Sequence, residues 1–257
     1  MAREQIVVKG IVLRGTDTRE SDKILTVLTA AGKLRVIAKG ARGRRSRVTA
    51  AAQLLAYSEL TVSERGEWYF LSEASTIALF EGVRRDIELL SLASYFAELV
   101  EAVTLEEMDS GSLLRLLLNA LYALGNLKKP PELVKAAFEL KVMALTGFEP
   151  LADGCAVCGR PEPEDPVLDI VDGVVRCRRC SGGRQGLAMP LTPGALAALR
   201  YILYGDEKRL YSFRLGEKDL EKLSNAAEAY LHAMLERGFR TLDFYKSLHI
   251  PAIDQKE

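Results

Sequence analysis

The four cysteines of this 257-residue chain form two pairs with the spacing of a metal site. Cys155 and Cys158 make one CxxC motif, Cys177 and Cys180 make the second, and eighteen residues separate the two pairs. This spacing falls within the C-x2-C-x15–20-C-x2-C pattern of zinc sites. Four thiolates satisfy the tetrahedral preference of Zn²⁺ and leave no position for water. The spacing therefore predicts a closed, structural zinc site.

Two alternatives for the cysteines are a pair of disulfides and reduced thiols without a metal. The N-terminal residues lead directly into a strand-like run, and no apolar run reaches the roughly 18 to 20 residues of a membrane span. We therefore expect a reduced, cytoplasmic setting without membrane contact, in which disulfides are rare.

A second set of chemically active residues is basic and lies between positions 33 and 47, where no acidic residue occurs. Although the whole chain has no formal net charge, residues 1–80 carry a surplus of five positive charges. Gly40 and Gly43 give the segment backbone freedom. The pattern predicts a loop that binds a nucleic-acid backbone, and the alternative is a solvated loop that only aids solubility. The basic residues are Lys33, Arg35, Lys39, Arg42, Arg44, Arg45 and Arg47.

The elements that position this loop are short strands separated by turns. They are rich in β-branched and aromatic residues, and they cover Ile6–Leu13, Ile24–Thr29, Leu34–Lys39, Ala56–Val62 and Glu67–Ser72. Five strands in about 75 residues predict a small barrel. An OB-fold fits the strand number, and an SH3-like barrel fits nearly as well.

Three consecutive aromatic residues lie in the last of these strands. Alternation along a strand places Trp68 and Phe70 on one face and Tyr69 on the other. One face belongs to the core, so at most one or two of these rings can stack on bases. For each individual ring we expect core packing.

After position 81 the apolar spacing changes to that of helices. The helix Leu133–Thr146 is apolar almost all round, which predicts a central place in a helical bundle.

The cysteine segment interrupts this region and carries short predicted strands at 167–171 and 174–175. Its arginines contact phosphate or are solvated, and the sequence favours neither. They are Arg176, Arg178, Arg179 and Arg184. The other predicted helices are Asp86–Glu107, Leu113–Leu124, Thr192–Tyr204, Glu217–Arg237 and Arg240–Leu248.

Catalytic patterns are absent from the sequence. Neither His232 nor His249 has a neighbouring cysteine or paired carboxylates, and we expect His232 to be structural. No GxxxxGK[ST], GxGxxG, HExxH or GxSxG motif with the required context occurs. These absences predict a protein that is not an enzyme, with a metal-dependent nuclease of dispersed carboxylates as an alternative.

The order of basic barrel, helices and four-cysteine finger resembles the bacterial RecO family of recombination mediators. Arg19–Ile24 contains the Glu-x-Asp-x-Ile pattern of that family, preceded by Val12–Arg14. Thr29–Lys33 and Ala38–Arg42 are similar to the turn and basic loop of the family, which Ser46-Arg47 closes. Similar flanks of the finger are Thr146–Pro150 and Leu191-Thr192.

This resemblance implies a multidomain α+β fold. An OB-fold domain would cover 1–80, a helical domain 81–150 and 191–248, an inserted four-cysteine zinc finger 151–190, and a flexible tail 249–257. It also implies that the basic residues of 33–47 contact DNA. Zinc would be structural, because some family members lack the four cysteines.

The resemblance implies a non-enzymatic function in DNA repair, in the cytoplasm and with the nucleoid. RecO-like proteins bind single- and double-stranded DNA and anneal complementary strands. With RecR they promote loading of RecA onto DNA coated by SSB, whose acidic C-terminal tail docks on the helical domain. A different class remains open, a zinc-ribbon transcription or RNA-binding module that uses Arg178 and Arg179 of the finger.

Overall fold

The computed structural model describes residues 5–43, 46–182 and 188–248. Contacts between residues divide the chain into two compact units. Unit 1 comprises 1–126 and 239–257, and unit 2 comprises 127–238. The domain boundaries expected from the sequence remain a prediction. In the described part of the chain, no helix has the length and apolar character needed to cross a membrane.

Unit 1 begins with a closed five-stranded barrel in the order β1-β2-β3-β5-β4. All neighbouring strands are antiparallel except β3 and β5, which are parallel. This arrangement is that of the predicted OB-fold and not of an SH3-like barrel. The strands are β1 (Gln5–Thr18), β2 (Asp22–Thr29), β3 (Gly32–Ala38), β4 (Tyr57–Arg65) and β5 (Trp68–Ala78).

Strand β1 closes the barrel because it pairs with both β2 and β4. Its register shifts between Val12 and Arg14, which marks a β-bulge and bends the strand. Gly10 allows the close approach of β2, since a Cβ at this position would lie 2.5 Å from a methyl carbon of Val27. Inward residues of the strands, such as Leu25 and Val36, form a fully buried core.

The described residues between β3 and β4 form turns that pack against the barrel core. Ala41, Ala51 and Ala52 are buried in the barrel core. The carboxylate of Asp22 accepts a hydrogen bond from the Gly40 backbone N–H at 2.8 Å. These contacts fix the beginning of the basic loop to the barrel.

Four helices complete unit 1: α1 (Glu81–Arg84), α2 (Ile87–Val103), α3 (Gly111–Gly125) and α7 (Arg240–Ser247). Asp86 caps α2 by accepting from the backbone N–H groups of Glu88 and Leu89. The helix α2 ends four residues before the predicted Glu107, because Thr104 takes an extended conformation and its hydroxyl bonds to the Val100 carbonyl.

Three helices of unit 2 pack around one another: α4 (Pro131–Leu145), α5 (Pro193–Tyr204) and α6 (Glu217–Leu235). Every residue of α4 from Leu133 to Met143 is buried, as its apolar pattern predicts. This run also includes Lys135, whose ammonium bonds to Glu139 and Glu228 at 2.9 and 2.8 Å. A buried cation here is possible because carboxylates surround it.

Between α4 and α5 lies the cysteine finger (151–190), with three short strands in the order β7-β6-β8. They are β6 (Pro166–Asp169), β7 (Val174–Cys177) and β8 (Ala188–Pro190). The predicted strand 167–171 ends early at Asp169, because the Asp169 carboxylate bonds to the N–H groups of Val171 and Asp172 and makes a turn.

Candidate metal centre and nucleic-acid interface

The finger brings the four cysteines together. Cys155 and Cys158 lie in one turn, Cys177 ends β7, and Cys180 lies in the following 3₁₀ turn Arg178–Ser181. Their sulfur atoms all lie within 4.8 Å of one another. All four are free thiols, and the Sγ atoms of Cys158 and Cys177 are 3.9 Å apart, well beyond the roughly 2.05 Å of a disulfide.

The cluster suits a metal cation because neighbouring thiolates repel one another, and a cation between them offsets this repulsion. Burial raises the pKa of Cys155, but hydrogen bonds from the backbone of Cys158, Cys177 and Val157 outweigh it and lower that pKa to about 6. Burial and the neighbouring thiols raise the pKa of Cys180 to about 12. Four thiolates at this separation need a cation between them, and a donor set of four cysteines is one that zinc accepts.

Backbone hydrogen bonds fix the knuckles that carry the sulfurs. The Cys155 N–H donates to the Arg160 carbonyl at 2.8 Å, and the Cys177 N–H donates to the Cys155 sulfur at 3.3 Å. N–H donation to a ligand sulfur stabilises its thiolate form. In the described residues this is also the one group of three or more potential metal ligands.

Arg200 of α5 anchors the first knuckle, which sequence analysis did not anticipate. Its Nε donates to the Ala152 carbonyl at 2.7 Å, and its other nitrogens reach the Asp153 and Pro161 carbonyls and the Glu162 carboxylate. A guanidinium with several fixed donors suits this task. The sequence offers no signal for it, because Arg200 lies 39 to 48 residues beyond these carbonyls.

The finger arginines are mainly engaged with carboxylates of the finger itself. Arg176 pairs with Asp169 at 2.9 Å and with Asp172, and Arg179 pairs with Glu164 at 2.5 Å. Arg178 is exposed, and Arg184 lies outside the described residues. The pairing of Arg176 with an almost fully buried carboxylate makes it part of the β6–β7 hairpin.

The predicted DNA-binding residues fall into two groups on unit 1. Lys33 and Arg35 lie on β3, beside the end of α2. Lys33 donates to the carbonyl of Glu101 in the last turn of α2, and Arg35 pairs with Glu106, in the segment after α2, at 3.2 Å. A pocket of about 440 Å³ lies between them and Tyr69. Both members of the Arg35–Glu106 pair are more than half exposed, so water screens their attraction.

The second group follows β3 at the beginning of the basic loop. Lys39, Arg42 and Arg47 are exposed. The Arg42 guanidinium lies 3.4 Å from Asp17, and both side chains are about half exposed. Arg44 and Arg45 lie outside the described residues. These cations are accessible to an anionic ligand in solvent.

The aromatic residues of β5 alternate as predicted. Tyr69 pairs with Val36 and packs against the barrel core, while Phe70 pairs with Ile37 on the outer face. Trp68 and Phe70 line an outer groove together with Lys39, so the expectation of core packing is wrong for these two rings. The structure places His232 near the end of α6. Its Nδ1 lies 2.8 Å from the Arg237 carbonyl, which is a local contact.

Comparison with known proteins agrees with this fold. The model of the recombination protein O N-terminal domain matches residues 1–80, and the model of its C-terminal domain matches residues 84–243. The chain belongs to the RecO family. It is similar to the DNA repair protein RecO of Acetivibrio thermocellus, with 31% identity over 93% of this chain and 95% of that protein. The DNA repair protein RecO of Symbiobacterium thermophilum is 32% identical over 94% of this chain and 96% of its own length.

Membership of the RecO family places the chain among DNA repair proteins and confirms the resemblance on which the predicted fold rests. The two matched regions together cover the barrel, the helices α2 to α6 and the cysteine finger. The exposed basic group of the OB-fold barrel is thus the candidate nucleic-acid interface of a RecO-family protein, and the cysteine cluster is its candidate metal centre.

Proposed function

We propose that this RecO-family protein is a non-enzymatic recombination mediator that binds single- and double-stranded DNA and anneals complementary strands. With RecR it would promote loading of RecA onto DNA coated by SSB, acting in the cytoplasm at the nucleoid, and it would engage the acidic C-terminal tail of SSB. The observation that carries the proposal is the group of exposed cations, Lys39, Arg42 and Arg47, on an OB-fold barrel.

The chemistry of annealing fits such a surface. Two DNA strands repel each other through their phosphates, and clustered lysine and arginine side chains offset this repulsion and release counterions. A surface that binds the backbone leaves the Watson–Crick edges of the bases free to pair. The exposed Arg42–Asp17 pair is weak enough in solvent for a phosphate to replace the carboxylate. We therefore expect weak sequence preference and strong dependence on salt.

Zinc would be held by Cys155, Cys158, Cys177 and Cys180. Four sulfur ligands leave no coordination position for a substrate, so the ion would contribute structure and no catalysis. The finger would then be a folded element of the mediator. We assign no DNA contact to Arg176, because the buried carboxylate of Asp169 holds it, and the exposed Arg178 and Arg179 are tested in the experiment below.

The test compares two triple variants that each remove three positive charges. Arg42, Arg44 and Arg45 are changed to alanine in the barrel, and Arg160, Arg178 and Arg179 are changed to alanine in the finger. Annealing of complementary oligonucleotides, one of them coated with cognate SSB, is measured at two salt concentrations with and without RecR. If each barrel arginine contacts one phosphate, the salt dependence of single-strand affinity loses a slope of about 0.7 per arginine.

We expect the barrel variant to lose most annealing and the finger variant to retain it. Circular dichroism and zinc content control for folding in both variants. Equal annealing by the barrel variant and the unchanged protein would contradict the proposal. A loss confined to the finger variant, with preference for RNA over DNA, would instead support the zinc-ribbon alternative.

A further inference from the structure

The outer face of the barrel has an apolar row where solvent-facing strands usually carry polar residues. Ile24 on β2 pairs with Ile37 on β3, and Ile37 pairs with Phe70 on β5. Their neighbours Leu25, Val36 and Tyr69 point into the barrel core. Because side chains alternate along a strand, Ile24, Ile37 and Phe70 share the outer face. The row runs across three adjacent strands.

This row forms the floor of a groove of about 370 Å³. That volume lies within the roughly 300 to 1,000 Å³ of small-ligand sites. Trp68 extends the apolar wall, and Arg65, its cross-strand partner, lies at the rim with Arg19 and Lys39. The groove therefore combines aromatic surface with cations.

The cations lie directly over an aromatic ring. The Arg65 guanidinium carbon is 4.5 Å from the centre of the Phe70 ring, and the Lys39 ammonium is 5.6 Å from it. These are cation–π distances. Three cations, Arg19, Lys39 and Arg65, line the groove with one carboxylate, that of Asp22, so the groove has a surplus of positive charge.

We propose that this groove is a base-stacking subsite for one unpaired nucleotide of single-stranded DNA. The base would stack on the Arg65 guanidinium, which itself lies on the Phe70 ring, while Lys39 and Arg19 would contact the flanking phosphates. The proposal rests on the DNA-binding function proposed above. It adds a contact to a base to the contacts with the phosphate backbone. A duplex keeps its bases stacked and paired, so it cannot use this subsite.

The experiment compares three ligands of equal length: oligo-dT, an abasic oligonucleotide with the same backbone, and a blunt duplex. Trp68 is the single tryptophan of the chain, so its fluorescence reports on the groove. We expect oligo-dT to quench this fluorescence more strongly than the abasic strand or the duplex. Phe70→Ala should raise the Kd for oligo-dT roughly tenfold and leave the other two Kd values unchanged.

Phe70→Tyr is the matched variant, since it keeps the aromatic face and should keep the affinity for oligo-dT. Phe70→Leu keeps an apolar side chain without the ring and should behave like Phe70→Ala. The half-buried position of Phe70 on the outer face makes these changes compatible with folding, which circular dichroism checks.

Two results would overturn the subsite. One is an unchanged Kd for oligo-dT in Phe70→Ala, and the other is an equal rise for oligo-dT, abasic strand and duplex. Both leave DNA binding itself intact. Absence of binding to every ligand by the unchanged protein would instead overturn the proposed function, so the two failures are distinguishable.

Discussion

The barrel and unit 2 use lysine and arginine in different ways. On the barrel, Arg42 and Arg35 are about half exposed, and their carboxylate partners are at least as accessible to water. In unit 2, Lys135 is almost completely buried between carboxylates, and Arg176 is mostly buried against Asp169. Arg200 is likewise occupied by backbone carbonyls of the finger. These three cations of unit 2 have structural partners, whereas Arg35 and Arg42 of the barrel remain accessible to solvent.

This difference shows why a count of basic residues does not identify a nucleic-acid surface. A cation that bonds to a buried carboxylate gives up that partner only at a large cost, whereas an exposed pair exchanges partners cheaply. The finger is as rich in arginine as the basic loop, but its buried pair, Arg176 with Asp169, stabilises a hairpin. We therefore expect changes in unit 2 to alter stability and changes on the barrel to alter DNA binding.

The largest effect should follow loss of a cysteine ligand. Cys177→Ser should remove the zinc and unfold the finger, because a structural zinc ion contributes about 10 kcal/mol to small zinc-binding folds. Zinc content measured by mass spectrometry should fall from one ion per chain to nearly none. Limited proteolysis should then cleave between residues 151 and 190. Oligonucleotide binding by the barrel should persist.

Val157→Ser is the matched control, since Val157 lies between the first two cysteines but is 61% exposed. It should keep both zinc and protease resistance. A Cys177→Ser protein that retains one zinc ion and an intact finger would contradict the structural assignment. If the Cys177→Ser protein lost DNA binding together with its zinc, the assignment of DNA binding to the barrel alone would be wrong.

Sequence patterns predicted the parts of the molecule that depend on local spacing. Two CxxC motifs indicated the cysteine cluster, and alternation correctly separated Tyr69 from Phe70. The buried pattern of α4 was also confirmed. Each of these features follows from residues close together in the chain, so period and spacing are enough.

The contacts that sequence patterns missed join distant residues. Lys135 bonds to Glu228, which lies ninety-three positions away in the sequence, and Arg200 bonds to the Ala152 carbonyl, forty-eight positions away. A lysine in an otherwise apolar helix gives no indication of its partner. The division of basic residues between solvent and carboxylates likewise depends on tertiary packing. The same limitation applied to the finger arginines, for which the sequence favoured neither interpretation.

The next largest effect should follow Lys135→Met. This change leaves the fully buried Glu139 without its ammonium partner, and loss of one member of a buried pair costs about 3–5 kcal/mol. Chemical denaturation followed by circular dichroism should show this loss, with DNA affinity unchanged in the folded protein. Arg35→Ala removes an exposed pair of the barrel and should cost less than about 1 kcal/mol.

The same buried network predicts a dependence on alkaline pH. Burial alone would lower the pKa of Lys135, but Glu139 and Glu228 outweigh it and raise the pKa above its ordinary value. The stabilisation is therefore complete below about pH 10.4 and decreases as pH rises through the higher folded-state pKa. The stability difference between the unchanged protein and Lys135→Met should thus shrink at strongly alkaline pH. A difference below about 1 kcal/mol at neutral pH would show that unit 2 does not depend on this cation.

A smaller effect than that of Lys135→Met should come from Arg200→Ala. The variant leaves the Ala152 and Asp153 carbonyls without their guanidinium donor, and hydrogen bonds to charged groups contribute about 1.5–3 kcal/mol. Because these carbonyls directly precede Cys155, the first knuckle should loosen and release zinc roughly tenfold faster to a chromogenic chelator. Arg209→Ala removes an exposed arginine from the same unit and should release zinc at the unchanged rate. If Arg200→Ala kept its zinc as firmly but bound DNA less tightly, Arg200 would belong with the barrel cations as a binding residue. The distinction between structural cations in unit 2 and binding cations on the barrel would then be wrong at this position.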